Sequence, residues 1–130
     1  MGVPRLGRVQ MRIMEVLWET GHATAREITD ALNRTGAIAH STVQTLLRKL
    51  EAKGAVAHDV DDRTFVFRPT VQPEPVRQTA TREFVDRLFG GSTSGLVAYL
   101  LRQERIPPEE MREIHDLIEA QSSRGSREGK

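Results

Sequence analysis

The chain has 130 residues, 38% of them hydrophobic and 28% charged, with a formal net charge of +1; this is the composition of one globular domain or two small ones. It contains no cysteine, which excludes disulfides, thiolate zinc sites and cysteine nucleophiles. No apolar run approaches the roughly 18 residues needed to cross a bilayer and no signal-peptide core follows the N-terminus, so the expected location is cytoplasmic.

A net charge this small makes any nucleic-acid-binding patch a local one. The charge is weakly asymmetric: residues 1–72 carry a net +2 and residues 77–121 a net −2. That points towards a basic head and a neutral-to-acidic body.

In chain order, residues 1–7 read as a short arm. Across residues 8–20, Val9, Ile13, Val16 and Leu17 recur at helical spacing, with Met14 and Trp18 widening the apolar face. Gly21 stops this helix. Thr24 and Glu27 then have the spacing of a capping box and open a second helix to about Arg34, packed by Ile28, Ala31 and Leu32. Thr35 and Gly36 end it.

The third helix is the most informative stretch. Ser41 is expected to begin it, with Gln44 completing a second capping box, and Lys53 and Gly54 to stop it. Val43, Leu46, Leu47 and Leu50 form its apolar stripe. The other side carries Ser41, Gln44, Thr45 and Arg48, with Lys49 beside them and no acid before Glu51. Hydroxyls, an amide and cations are what a helix needs to reach base edges and phosphates in a major groove. Taken alone, the same pattern also fits an amphipathic helix with a solvated polar face.

The period then changes. Residues 56–60 have strand character, Asp61, Asp62 and Arg63 form a turn, and residues 64–68 alternate as a second strand. Three helices followed by a hairpin is the order of a winged helix-turn-helix, with Arg63 near the wing tip as a phosphate contact or a solvated turn residue. Asp59, Asp61 and Asp62 would repel DNA if they faced it. His40 precedes the third helix and fits either a phosphate contact or a simple surface residue. Trp18 is read as core.

Residues 69–75 hold three prolines and read as a stiff, extended linker. Three short helical patterns follow. The first, residues 79–89, carries Phe84, Val85, Leu88 and Phe89 and stops at Gly90 and Gly91. The second, residues 93–104, carries Leu96, Val97, Leu100 and Leu101. The last starts at Pro107 and Pro108 and carries Met111, Ile114, Leu117 and Ile118. About fifty residues in three helices are marginal as a lone domain, so a homodimer is expected through this part. The expected layout is therefore a winged-helix DNA-binding domain over residues 1–70, a helical dimerisation domain over 76–121 and a disordered tail over 122–130. The fold class is mainly α with a small β-hairpin.

These segments together resemble the penicillinase repressor (BlaI/MecI/CopY) family of bacterial winged-helix regulators. The resemblance lies in GRVQMRIMEVLW (7–18), ATAREI (23–28), STVQTLLRKL (41–50), the hairpin to Phe67, FVDRLFGG (84–91), Leu96 with Val97, and the final helix. It covers nearly all of residues 7–120 in order. It implies a dimeric transcriptional repressor of an inverted-repeat operator in double-stranded DNA. The groove-facing positions it implies are Ser41, Thr42, Gln44, Thr45 and Arg48, and the wing contact is Arg63; Lys49 and His40 lie beside them. The dimer contacts expected from the apolar residues that recur on the last three helices are Phe84, Leu88, Leu96, Leu100, Leu101, Ile114, Leu117 and Ile118.

The chain departs from the family pattern in two places. β-Lactam-responsive members are cut at an Asn-Phe bond by a membrane sensor protease, and the matching position here is Tyr99 and Leu100. Copper-responsive members release DNA through a C-terminal cysteine cluster, which this chain lacks. The releasing signal is thus open, with cleavage at Tyr99–Leu100 as the candidate proteolytic route.

No enzyme signature is present: no phosphate-cradling glycine loop, no nucleophile elbow, no apolar carboxylate pair. His22, His40, His58 and His115 lack metal-ligand spacing, so no metal or other cofactor is expected. The rival reading from another class is a winged-helix protein-interaction module that does not touch DNA.

Overall fold

The apolar spacing of the first helix is realised as α1, Arg8–Thr20, in a computed structural model that describes residues 3–128. Its Ile13, Met14 and Leu17 are fully buried. Gly7 is the N-cap; its amide donates to Gln10 Oε1 at 2.8 Å, which also accepts from Lys53 Nζ at 3.0 Å. The buried Gln10 is thereby satisfied. Gly21 ends the helix at φ 86°, its amide donating to the Leu17 carbonyl at 2.8 Å.

Ala23–Thr24 forms a two-residue strand, β1, which the sequence pattern did not indicate because two residues carry no period. The expected capping box opens α2, Ala25–Leu32: Glu27 N donates to Thr24 Oγ1 at 3.1 Å and Thr24 N to Glu27 Oε1 at 2.9 Å. The helix closes at Asn33, short of Arg34, because the Asn33 side chain turns back on the chain. Its amide nitrogen donates to the Thr29 and Ile38 carbonyls and its oxygen accepts from Ile38 N at 2.9 Å. Arg12 Nη2 donates to the Leu32 carbonyl at 3.1 Å and to Thr35 Oγ1, fixing α1 against the end of α2.

The third helix, α3, is His40–Ala52. It begins one residue before the expected start. The N-cap is Ala39 and no side chain caps it, so the Ser41–Gln44 capping box is not formed; Ser41 already lies inside the first turn. Val43, Leu47 and Leu50 are fully buried.

The wing is β2, Val56–Asp61, and β3, Thr64–Pro69. All pairings are antiparallel in the order β1-β3-β2. The core joins Ile13, Met14 and Leu17 of α1, Ile28 of α2, the α3 stripe, Val56 and Phe67. Each fully buried large aliphatic contributes roughly 1.5–3 kcal/mol, so α3 is fixed by its apolar face while its polar face stays open.

The stretch expected as an extended linker is shorter than the prolines suggested: Pro69 ends β3, only residues 70–72 are irregular, and helix begins at Pro73. The fourth helix, α4, runs Pro73–Phe89. Pro73 and Pro75 fall in its first turn, where a missing N–H is no loss. The compact unit accordingly extends to Phe84 and a second begins at Val85, beyond the boundary near residue 70 that the prolines suggested. Within the first unit, Trp18 Nε1 donates to the Val71 carbonyl at 2.9 Å. Val76 of α4 is buried, and Arg5 Nε pairs with Glu83 at 2.7 Å.

The second unit holds the end of α4, then α5, Thr93–Gln103, and α6, Pro108–Glu128. Ser92 caps α5 by accepting from Gly95 N at 2.9 Å, and Phe89 meets Tyr99 edge-on at 5.6 Å. The tail expected as disordered continues α6 through Glu128. No residue between Pro108 and Glu128 other than Gly125 opposes helix strongly, and Arg124 donates to Gln121 at 2.6 Å one turn back. Residues 129 and 130 of that expectation lie outside the described residues. Among the described residues, no helix is long and apolar enough to cross a membrane.

Candidate nucleic-acid interface

The polar face of α3 and the wing enclose a cleft of about 440 Å³ in the first unit. Gln44 and Arg48 reach it from α3, Arg63 and Thr64 from the wing turn, and Arg26 from the first turn of α2. His40, Phe65 and Glu51 complete its rim, over Leu47 and Phe67.

Local sequence explains each position. Gln44 and Arg48 are four residues apart and so share one face of α3, opposite Val43, Leu47 and Leu50. Arg63 reaches the cleft because the hairpin has a two-residue turn. Asp62 and Arg63 have φ of 52° and 70°, the left-handed pair that a tight hairpin turn needs. Arg26 occupies the first turn because Thr24 caps α2 just before it.

The electrostatics follow from what is left unpaired. Among the described residues, Arg26, Arg48, Lys49 and Arg63 make no ion pair. The acid on the cleft wall, Glu51, is held by His58 Nδ1 at 2.9 Å. The wing acids do not line the cleft. Alternation along β2 places Asp59 and Asp61 on the face opposite His58 and Val60, and Asp59 is paired with Arg68 at 3.2 Å. The cleft is therefore locally cationic although the chain is nearly neutral.

Of the residues expected to touch DNA, the structure brings His40, Gln44, Arg48 and Arg63 to the cleft. Ser41, Thr42, Thr45 and Lys49 are exposed on α3 but outside it. Ser41 and Thr42 carry no capping duty, so their hydroxyls stay open to a ligand beside the first helical turn. His40 is less free than a surface residue. Thr29 Oγ1 donates to the Ala25 carbonyl at 2.8 Å, so it accepts from His40 Nδ1 at 3.0 Å. That bond ties α2 to α3 and leaves His40 Nε2 as the ring's remaining polar atom.

Arg26 was missed by sequence reasoning. The signal is local: a cation two residues after a cap sits on the first helical turn, beside the capping box. Glu51, His58 and Phe65 were missed because their association is tertiary. Among the described residues, no three of His, Cys, Asp and Glu cluster as metal ligands.

The arrangement offers an amide and three guanidinium groups along one concave face. These are donors for phosphates and for guanine or adenine edges.

Comparison with known proteins agrees with this geometry. The family model described as penicillinase repressor matches residues 6–120. The penicillinase repressor of Bacillus licheniformis is 25% identical over 122 residues, 94% of this chain and 95% of that protein. The penicillinase repressor of Staphylococcus aureus is 19% identical over 106 residues, 82% of this chain and 84% of that one. The solution structure of the DNA-binding domain of the repressor BlaI superposes with a TM-score of 0.51 at 28% identity, covering 56% of this chain and 90% of that domain.

Proposed function

The chain belongs to the penicillinase repressor family, and from that premise we propose that it works as a dimer that occupies an inverted-repeat operator and blocks transcription sterically. The observation that carries this reading is the cleft between α3 and the wing, where Arg26, Arg48 and Arg63 make no ion pair among the described residues and lie beside Gln44. Gln44 has the geometry to pair bidentately with adenine, Arg48 with guanine or a phosphate, and Thr45 offers a methyl to thymine. Ser41, Thr42 and Lys49 flank the groove-facing row. Arg63 and Arg26 contact phosphates on either side, and His40 Nε2 is a further polar contact.

The dimer is supported by the second unit's uncovered apolar surface. Helix α5 has no buried residue. Leu88, Leu117 and Ile118 are 58%, 65% and 58% exposed. Leu100 and Leu101 are also exposed, and Leu96 and Ile114 half-buried; Phe84, the other expected contact, closes the first unit. Patches of this extent mark interaction sites in soluble proteins, and a second copy is the partner that symmetry favours, because two-fold protein reads two-fold DNA.

Release acts on the dimerisation unit. If it is proteolytic, with a membrane sensor protease as partner, Tyr99–Leu100 is the bond concerned. It lies inside α5, so cleavage requires that helix to open locally.

The experiment is a binding titration of the full chain against a random-sequence duplex library. Enrichment of a dyad-symmetric duplex with steep salt dependence supports the reading. Retention of no duplex would favour the protein-interaction module instead.

A further inference from the structure

Glu51 is out of place on a surface meant for phosphates. It lies one turn beyond Arg48 on α3 and lines the same cleft. Both its carboxylate oxygens stand 2.9 Å from His58 Nδ1 on β2. A carboxylate only accepts, so Nδ1 carries the proton and donates. The imidazole in turn lies flat against Phe65 of β3, with ring centroids 3.9 Å apart and planes 10° from parallel. Phe65 is two residues from Arg63 and is 48% exposed, so burial alone does not account for its place.

The wing's other attachments are all at its base. Val56 and Phe67 enter the core, and β1 pairs with β3 only at Phe67 and Val66. Beyond Val66 the wing is a bare two-stranded ribbon, which twists readily. Glu51, His58 and Phe65 thus form a chain of contacts from the recognition helix to the strand that carries the wing tip.

Resting on the reading that this cleft binds DNA, we propose that His58 is a positioning residue. Held by Glu51 and stacked on Phe65, it fixes the angle of the wing over α3, so that Arg63 and Arg48 are spaced for one duplex before it arrives. The gain is preorganisation: a wing free to twist would have to be ordered on binding. The same contact turns the Glu51 carboxylate towards the wing and away from the phosphates.

The test uses the full chain and a duplex selected by the wild type from a random library. His58→Ala, Arg63→Ala and the double variant are titrated across a salt series, with melting temperatures measured in parallel. His58→Ala should weaken binding about fivefold to tenfold in the wild-type background, but less than about twofold when Arg63 is already gone, the non-additivity expected of one shared contact. Its salt slope should fall by about 0.9, the signature of one lost phosphate contact. Equal losses in both backgrounds would overturn the positioning role while leaving DNA binding intact. An Arg63→Ala variant with unchanged affinity would remove the wing contact and the positioning role with it.

Selection of no duplex would sink the repressor reading and this role together. The clamp itself is read in the free protein. The His58 ring protons should show an upfield ring-current shift that Glu51→Ala abolishes and Glu51→Gln, which retains an acceptor, preserves. A shift unaffected by Glu51→Ala would overturn the clamp.

Discussion

Asp62 and Arg63 alone make the turn of the wing, with φ of 52° and 70°. Left-handed backbone costs a non-glycine residue roughly 1–2 kcal/mol, and Asn-Gly or Asp-Gly would relieve much of it. An arginine held there at the mouth of a cationic cleft is explained by what its guanidinium does. Arg63→Gly should therefore raise thermal stability, by about 0.5–1 kcal/mol once glycine's own entropy is set against it, and yet weaken DNA binding. Calorimetry and a salt-dependent titration read the two effects separately; a loss of stability with unchanged affinity would reverse the assignment.

Arg48 faces the cleft from the middle of α3 with no ion-pair partner among the described residues. Arg48→Ala should weaken specific binding by roughly 1–3 kcal/mol and relax the sequence preference at one position of each half-site. Arg26→Ala, at the start of α2, should instead weaken binding to all duplexes alike and lower the salt slope by about 1. Titration of both variants against matched and single-mismatch duplexes separates base reading from phosphate contact.

The helices were legible in the sequence because their apolar residues repeat at 3.6, and the α2 capping box was legible because both of its members lie within four residues. What failed was of a different kind. Ser41 looked like a cap because it is a hydroxyl before an apolar run, but the Thr42 and Val43 amides already donate to the Ala39 carbonyl, so α3 starts one residue earlier. The prolines of residues 69–75 looked like a linker because their spacing also suits extended chain, but Pro69 ends β3, and Val76, buried within unit one, commits Pro73 and Pro75 to the first turn of α4. In the cleft, the α3 face could be read from local spacing. The engagement of Glu51 by His58 could not, since residues seven apart on a helix and a strand meet only through the fold.

Leu47 sits beneath the cleft with no exposure, in the row that anchors α3. Leu47→Ala should cost roughly 2–5 kcal/mol, measured by chemical denaturation. Affinity for DNA at temperatures well below the new midpoint should fall much less, because the polar face is unchanged. A stability loss under 1 kcal/mol would show that this site is not packed as described.

Leu100 is 42% exposed on α5. Leu100→Asp should leave the melting of the first unit nearly unchanged and shift the chain to monomer in sedimentation analysis. Operator affinity should fall steeply with it, since each half-site alone is short. A Leu100→Asp variant that stays dimeric would place the interface elsewhere on the second unit.

The central claim is that two copies of the α3–wing cleft read a two-fold site. Selection of duplexes from a random library by the full chain, followed by sequencing, tests it most directly. The account predicts two inverted half-sites with centres one helical turn, about 10–10.5 base pairs, or a multiple of it apart, bound less tightly as salt rises. A single asymmetric site, or no enrichment at any salt concentration, would contradict it.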